Sequence, residues 1–234
     1  MGTDSTPAFE PQNPGASPAN DMHEYIVRRL AGVAVVGVLA YVVLDIIAQV
    51  LPPRYNPITQ AESDLAVGPY AYVMTINFVV RCVFSGALLV AMAVAMTPTT
   101  RSRIGLAFWS LWALGAFILA LFPTDLGATE HSLHGKIHVA TAVIAFVAAT
   151  VAEILLSRCF VAEARWRLLG RRATWISMST LITLILFGPL TRADAGGLIE
   201  RLFLASILVW VLVVAIDLYR GVGDMSIGGF KRRV

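Results

Sequence analysis

Six apolar runs, at about 29–51, 70–96, 104–122, 137–157, 173–190 and 199–219, constrain this chain more than anything else in it. Each is near the ~20 residues a helix needs to cross a hydrocarbon core of ~30 Å. Inside lipid the backbone must satisfy its own hydrogen bonds, which leaves helices or closed barrels, and runs of this length select helices. The expected fold is therefore all-α, a polytopic bundle of six transmembrane helices. Composition agrees: 57% of residues are hydrophobic and 14% charged, against about 25% charged in a soluble domain.

The placement of positive charge orients the bundle. Of the 18 Lys and Arg residues, thirteen fall at the termini, in "TPTTRSR" or in "SRCFVAEARWRLLGRR"; Arg54, Lys136, Arg192 and Arg201 fall in the other loops, and Arg81 lies inside a span. Positive loops stay cytoplasmic, so both termini are expected inside and the remaining loops outside. The net charge of +3 thus reports orientation in a membrane and gives no reason to expect nucleic acid; membrane lipids are the expected partners, and the arginines beside Trp166 either serve simply to fix the topology or also sit at an interface with anionic lipid. The Ala-, Val- and Arg-rich composition points to a bacterial cell membrane. Residues 1–24, rich in Pro, Ala, Ser and Asn and lacking a signal-peptide pattern, read as a disordered tail. Residues 25–220 form the transmembrane domain and 221–234 a basic cytoplasmic tail. Cys82 and Cys159 lie in unrelated settings, so neither a disulfide nor a cysteine metal site is expected.

Asp45, Asn77 and Arg81 lie within spans, where a charge costs several kcal/mol and so faces protein or a wet cavity. Tyr70, Met74, Asn77, Arg81 and Ser85 recur at helical spacing and make one stripe, expected to face other helices. Side chains lean toward their own helix's N-terminus, which tips Arg81 outward and Asp45 inward. An ion pair between them is expected, either fixing the packing or lining a substrate or ion cavity.

The segments "NPITQAESDLAVGPYAYVMTINFVVRC", "LFPTD" followed by "LHGKIHVATAVIAF", and "GGLIERLFLASILVWVLVVAIDLYR" resemble the bacterial membrane family known as domain of unknown function 998, over roughly residues 29–219. The resemblance implies a six-helix membrane bundle and carries no chemistry with it. The motif positions it implies are Asn56, Pro57, Ser63, Asp64, Gly68, Pro69, Pro123, Asp125, His134, Gly135, His138, Glu200 and Arg201. Glu62 and His131 are additions to that pattern. A looser similarity, in residue types only, links the chain to membrane hydrolases such as ceramidases that hold an intramembrane zinc.

His134 and His138 stand four apart on one helical face, a spacing that lets two imidazoles reach one Zn²⁺, with Asp64 or Asp125 as further ligands and an open position to activate water. No HExxH motif accompanies them. Three readings remain open: a metal pair, acid/base or proton-relay use without metal, or structural capping, in which Asp125 shapes a turn and Ser132 caps the fourth helix. Glu62 and Asp64 can split their pKa values into an acid and a base, although residues two apart share no helical face. Ser63 is a candidate nucleophile, and Asn56 and Arg201 are candidates for contact with substrate, Arg201 with an anionic headgroup or in a salt bridge.

The expected function is a membrane enzyme acting on a lipid or isoprenoid-like amphiphile at the extracytoplasmic face, by metal-assisted hydrolysis or acid/base chemistry at Asp64, Asp125, His134, His138 and Glu62. An isoprenoid cyclase or isomerase using carboxylic acids as proton donors, a small proton-linked transporter and a non-catalytic accessory subunit are the alternatives. No internal repeat of the transporter kind joins the two halves of the chain.

Overall fold

The computed structural model describes residues 18–126 and 132–228; residues 1–17 of the expected tail, His131, and the basic residues from Lys231 onward lie outside the described residues. Six helices fill it: α1 (Pro18–Val50), α2 (Ala71–Ala95), α3 (Thr100–Leu121), α4 (Leu133–Ala162), α5 (Arg167–Arg192) and α6 (Gly196–Gly228). All six are long and apolar enough to cross a membrane, and no strand occurs among the described residues. The chain is an all-α, multi-pass membrane bundle.

The helices outrun the apolar segments at several ends. α1 begins at Pro18 inside the expected tail, and α6 continues to Gly228 through most of the expected basic one. Apolar length measures only the hydrocarbon crossing, whereas hydrogen bonding carries a helix on into polar sequence until a cap or breaker stops it. Such stops are visible. Thr99 and Ser102 exchange side-chain and backbone bonds at the start of α3 (3.1 and 2.8 Å), a capping box. Ser132 accepts from the Gly135 N–H at 3.1 Å and caps α4, as one of the sequence readings expects.

Each helix packs on its neighbours in sequence, and α1 packs on α6, closing a ring. Trp109, Trp112, Trp210, Phe146 and Phe203 fill the ring's interior; the Trp109 and Trp210 rings lie 5.1 Å apart and Phe146 and Phe203 4.6 Å apart. Within their most apolar 18 residues α1 and α5 bury only 22% and 17%, against 44% for α2, α4 and α6. Lipid must therefore cover the outer faces of α1 and α5, while α2, α4, α6 and α3, the last 39% buried, supply the interior.

Candidate functional site

The α1–α2, α3–α4 and α5–α6 connections share one end of the bundle. There residues 51–70 fold back over the helices instead of leaving them. Asn56 Oδ1 accepts from the Ile58 N–H (2.9 Å), Gln60 Oε1 from the Asn56 N–H (2.7 Å), and the Tyr55 hydroxyl donates to the Ala61 carbonyl (2.8 Å). Asp64 Oδ2 accepts from the Ala61 N–H (3.1 Å) and closes the 3₁₀ turn Glu62–Ala66. Gly68, at φ +96°, then redirects the chain into α2, a backbone conformation that favours glycine.

Arg201 fastens this loop to α6. Its Nη1 donates to the carbonyls of Pro57 (3.0 Å), Gln60 (3.1 Å) and Gly197 (3.0 Å), and its Nη2 to the Tyr55 hydroxyl. The Leu198 N–H adds a bond to the Ile58 carbonyl (2.9 Å). Gly197 makes the approach feasible, because a Cβ there would stand 2.1 Å from the Gln60 carbonyl oxygen. Arg201 is thus a clamp on backbone carbonyls. Among the described residues it forms no ion pair with a carboxylate, the salt bridge being one of the two roles expected of it.

The clamped loop drives Glu62 into the bundle, where it is 3% exposed. Tyr41 of α1 donates its hydroxyl to Glu62 Oε1, and the Glu62 N–H donates to Glu200 Oε2 on α6 (2.9 Å). Beneath lies a small cavity of about 20 Å³ whose polar lining is Glu62, Ser63, Arg81, His138 and Glu200. That volume holds about one water. Arg81 is 2% exposed, with its guanidinium carbon 4.5 Å from the centre of the Trp112 ring and 5.1 Å from that of Phe78. Its Nε and Nη2 have no hydrogen-bond partner. Aromatic faces offset part of the cost of a buried cation, but the uncompensated N–H groups carry the penalty of desolvation.

His138 is 3% exposed, and its Nδ1 lies 2.7 Å from the Phe122 carbonyl oxygen. A carbonyl only accepts, so Nδ1 carries the hydrogen; in the neutral ring Nε2 is then left as an acceptor. Burial pushes the Glu62 carboxyl up to about 8, assisted by the negative charges of Asp45 and Glu200 and opposed by the Tyr41 hydrogen bond and by Arg81. At neutral pH this group holds its proton. Burial also raises Asp64, against the Ala61 hydrogen bond and Arg201, and raises Tyr55 to about 12.

The residues expected at the site therefore divide. Glu62, Arg81 and His138 meet at the cavity, joined by Glu200. The α2 stripe faces inward as expected, with Met74, Asn77, Arg81 and Ser85 all buried and Tyr70 at its exposed outer end. The Asp45–Arg81 ion pair does not form: Asp45 Oδ2 accepts from Gln49 Nε2 (2.6 Å) and Oδ1 is unpartnered. Glu62, brought in by the loop, lies in the electrostatic field of both. Asn77 is wholly buried one turn above Arg81, its amide against the Met74 sulfur at 3.9 Å.

Asp64, Asn56 and Asp125 are occupied with backbone and loop. Asp125 accepts from the Ser132 N–H (2.7 Å) and hydroxyl (2.9 Å) and would collide with any Cβ on Gly135. His134 is exposed, its ring edge-on to Phe122 at 5.3 Å. The expected zinc set of His134, His138, Asp64 and Asp125 is not assembled: among the described residues no three His, Cys, Asp or Glu side chains gather as ligands. The reason lies in the loops, where each Asp is taken up by main-chain N–H groups. Cys82 and Cys159 are both free.

Two residues escaped the sequence reading. Tyr41 carries no signal, since a tyrosine in an apolar run is ordinary. Glu153 does: it is an acid inside the 137–157 run, 0% exposed, and bonded to Thr180 of α5 at 2.8 Å.

No curated protein and no solved structure matches the chain. The family described as "Protein of unknown function (DUF998)" matches residues 35–217, most of the bundle. The order of elements across that match, from α1 through the clamped loop to α6, takes in every side chain lining the cavity, and the chain belongs to this family.

Proposed function

We propose that the protein is an integral membrane enzyme performing acid/base chemistry on a lipid or isoprenoid-like amphiphile at the extracytoplasmic face, with Glu62, Arg81, His138 and Glu200 as its centre. The observation that carries this reading is Arg81, a buried cation with Nε and Nη2 unbonded beside a cavity lined by two carboxyl groups and an imidazole. Buried N–H groups are ordinarily hydrogen-bonded, so these two are open to a water or a substrate oxygen in the cavity.

The chemistry follows from the states of the groups. Arg81 receives an anionic or polarised oxygen of the substrate. His138, fixed through Nδ1, offers Nε2 as the base that takes a proton from water. Glu62, protonated at neutral pH, donates to the departing oxygen. Hydrolysis is the concrete version, since the cavity's size is that of one water. The amphiphile itself needs more room, so the loop over Glu62 must lift, with Arg201 as its latch. The same reading puts both termini in the cytoplasm of a bacterial cell, supported by the thirteen Lys and Arg residues at that end.

The test places purified protein in nanodiscs containing a total bacterial lipid extract and follows new species by mass spectrometry. Wild type should form a product that Glu62→Gln and His138→Ala each reduce by about 100-fold or more. Equal product from all three proteins sinks the proposal. Cysteine labelling of whole cells at Thr59 and Ser226 checks the orientation, with label expected only at Thr59.

Proton-linked transport is the second reading, favoured by Glu153, whose Oε1 is buried and unpartnered in the other half of α4. Proton flux into proteoliposomes that Glu153→Gln abolishes would select it.

A further inference from the structure

At the opposite end of the bundle, a cleft of about 920 Å³ runs between α1 and α2 and reaches Tyr219 of α6. Its apolar walls include Val33, Val36, Val79 and Val83, all exposed, and Arg28 and Arg29 stand at its mouth. A smaller cleft of about 400 Å³ lies on the α6 side of α1, shares Gly32, Val36 and Tyr219 with the first, and carries Arg220. Both volumes fall in the ~300–1,000 Å³ range of ligand sites. The absence of side chains at Gly32 and Gly37 shapes the floor; at Gly37 α1 approaches so closely that a Cβ would stand 2.4 Å from that of Phe84.

The arginines are posed and unpaired. Arg28 lies over the Tyr219 ring at 4.8 Å and Arg29 over the Tyr25 ring at 5.2 Å, and neither forms a hydrogen bond or ion pair with a described residue. The stacking holds the guanidinium groups by their faces and leaves their N–H edges for an anion. From Arg28 to Ala40, the far end of the cleft, is twelve residues, or about 18 Å at the helical rise. Half of a ~30 Å hydrocarbon core is ~15 Å. The cleft thus has the depth of one leaflet, with basic groups at headgroup level and apolar walls below.

We infer that this double cleft binds one anionic phospholipid of the leaflet at the termini's end. The phosphodiester sits on Arg28 and Arg29, and the two acyl chains lie in the clefts on either side of Val36. A partner helix fits the observations less well, because it would not end at one leaflet's depth or divide around a single side chain. Its basic mouth lies at the other end of α1 from Glu62, while its apolar end at Ala40 comes within one residue of Tyr41, the donor to Glu62.

The test reconstitutes the full-length protein with equal dioleoyl-phosphatidylglycerol and dioleoyl-phosphatidylcholine, re-extracts it gently and counts retained lipids by native mass spectrometry. Wild type should retain the anionic lipid about five-fold over the zwitterionic one. Arg28→Ala with Arg29→Ala should bring the ratio near one, while Arg103→Ala, an exposed arginine at the same end, leaves it unchanged. Val36→Trp, at a 66% exposed position, should lower retention of both lipids. Equal retention of the two lipids by wild type overturns the inference, as does an Arg103→Ala variant that loses the preference equally, which would make it a property of the whole basic surface. Displacement of the lipid by glycerol phosphate alone would also overturn it, showing a site for a bare anion.

Discussion

Glu62 and Glu153 are both fully buried acids, in opposite halves of the bundle, and they are held in contrasting ways. Glu62 is delivered by a loop to a cavity that also contains Arg81, His138 and Glu200. Glu153 stands on a continuous helix among Ala149, Ala152 and Leu156, all buried, with Thr180 as its one hydrogen-bonding partner among the described residues. The first arrangement concentrates ionisable groups of both signs around a void, where their protonation states depend on one another. The second isolates one acid in packed helices. Burial alone therefore says little about function; the company kept by the buried group, and what holds it there, says more.

The sharpest way to break the comparison is at Arg81. Replacing a buried ion pair with apolar side chains of similar volume is often neutral or stabilising, by about 1–4 kcal/mol, and a buried guanidinium with unbonded N–H groups should behave in the same direction. Arg81→Met should accordingly hold or raise the thermal midpoint while reducing turnover by about 100-fold or more. A variant that loses midpoint and turnover together would make Arg81 a structural element, and the two halves would then differ only in degree.

Next in size is the latch. Arg201→Ala removes the donor to two loop carbonyls and to Tyr55, bonds worth about 1.5–3 kcal/mol each where one partner is charged. Amide exchange at Ile58, Gln60 and Ala61 should rise by about ten-fold or more, with Thr180→Ala, beside Glu153, leaving those amides unchanged. Unaltered exchange in Arg201→Ala would mean the loop is held by its own turns.

How much of this was legible follows from what each feature depends on. The six spans, and the inward face of Met74, Asn77, Arg81 and Ser85, were readable because apolar length and helical spacing are local properties. The zinc set is not assembled among the described residues for the complementary reason. His134 and His138 do share a helix face, yet their surroundings come from the α3–α4 and α1–α2 loops, whose turns take up Asp125 and Asp64 with main-chain N–H groups. Glu62 gained its place through Arg201, 139 positions later in the chain, and no spacing rule connects them. Glu153 is legible in the sequence, as an acid within an apolar run.

A smaller effect, in pH, also separates the halves. Glu62 rises in the folded protein from its ordinary 4.5 to about 8. Between those values the folded state keeps a proton that the unfolded state has lost, so stability is greatest below about pH 4.5 and falls until about pH 8. The thermal midpoint in detergent should decline as pH rises from about 5 to about 8. Glu62→Gln should flatten part of that decline, Asp64 being raised in the same direction. An unchanged slope in Glu62→Gln would place the titration elsewhere.

Glu153→Gln should have the smallest effect and is the most informative about the second half. The amide keeps a carbonyl to accept from Thr180 and adds an N–H₂ group of nearly the same size, so the packing around Ala149, Ala152 and Leu156 persists. Turnover should stay within about two-fold of wild type, and the midpoint should move by no more than about 1 kcal/mol in equivalent stability, the scale of one neutral hydrogen bond. Glu153→Ala should cost more, since it adds a cavity to the lost bond, and still leave turnover intact in the folded fraction. If Glu153→Gln instead stops turnover with the midpoint unchanged, the carboxyl in the packed half exchanges protons during the cycle. The cavity under the loop would then be one station of a path through α4 and not a self-contained centre.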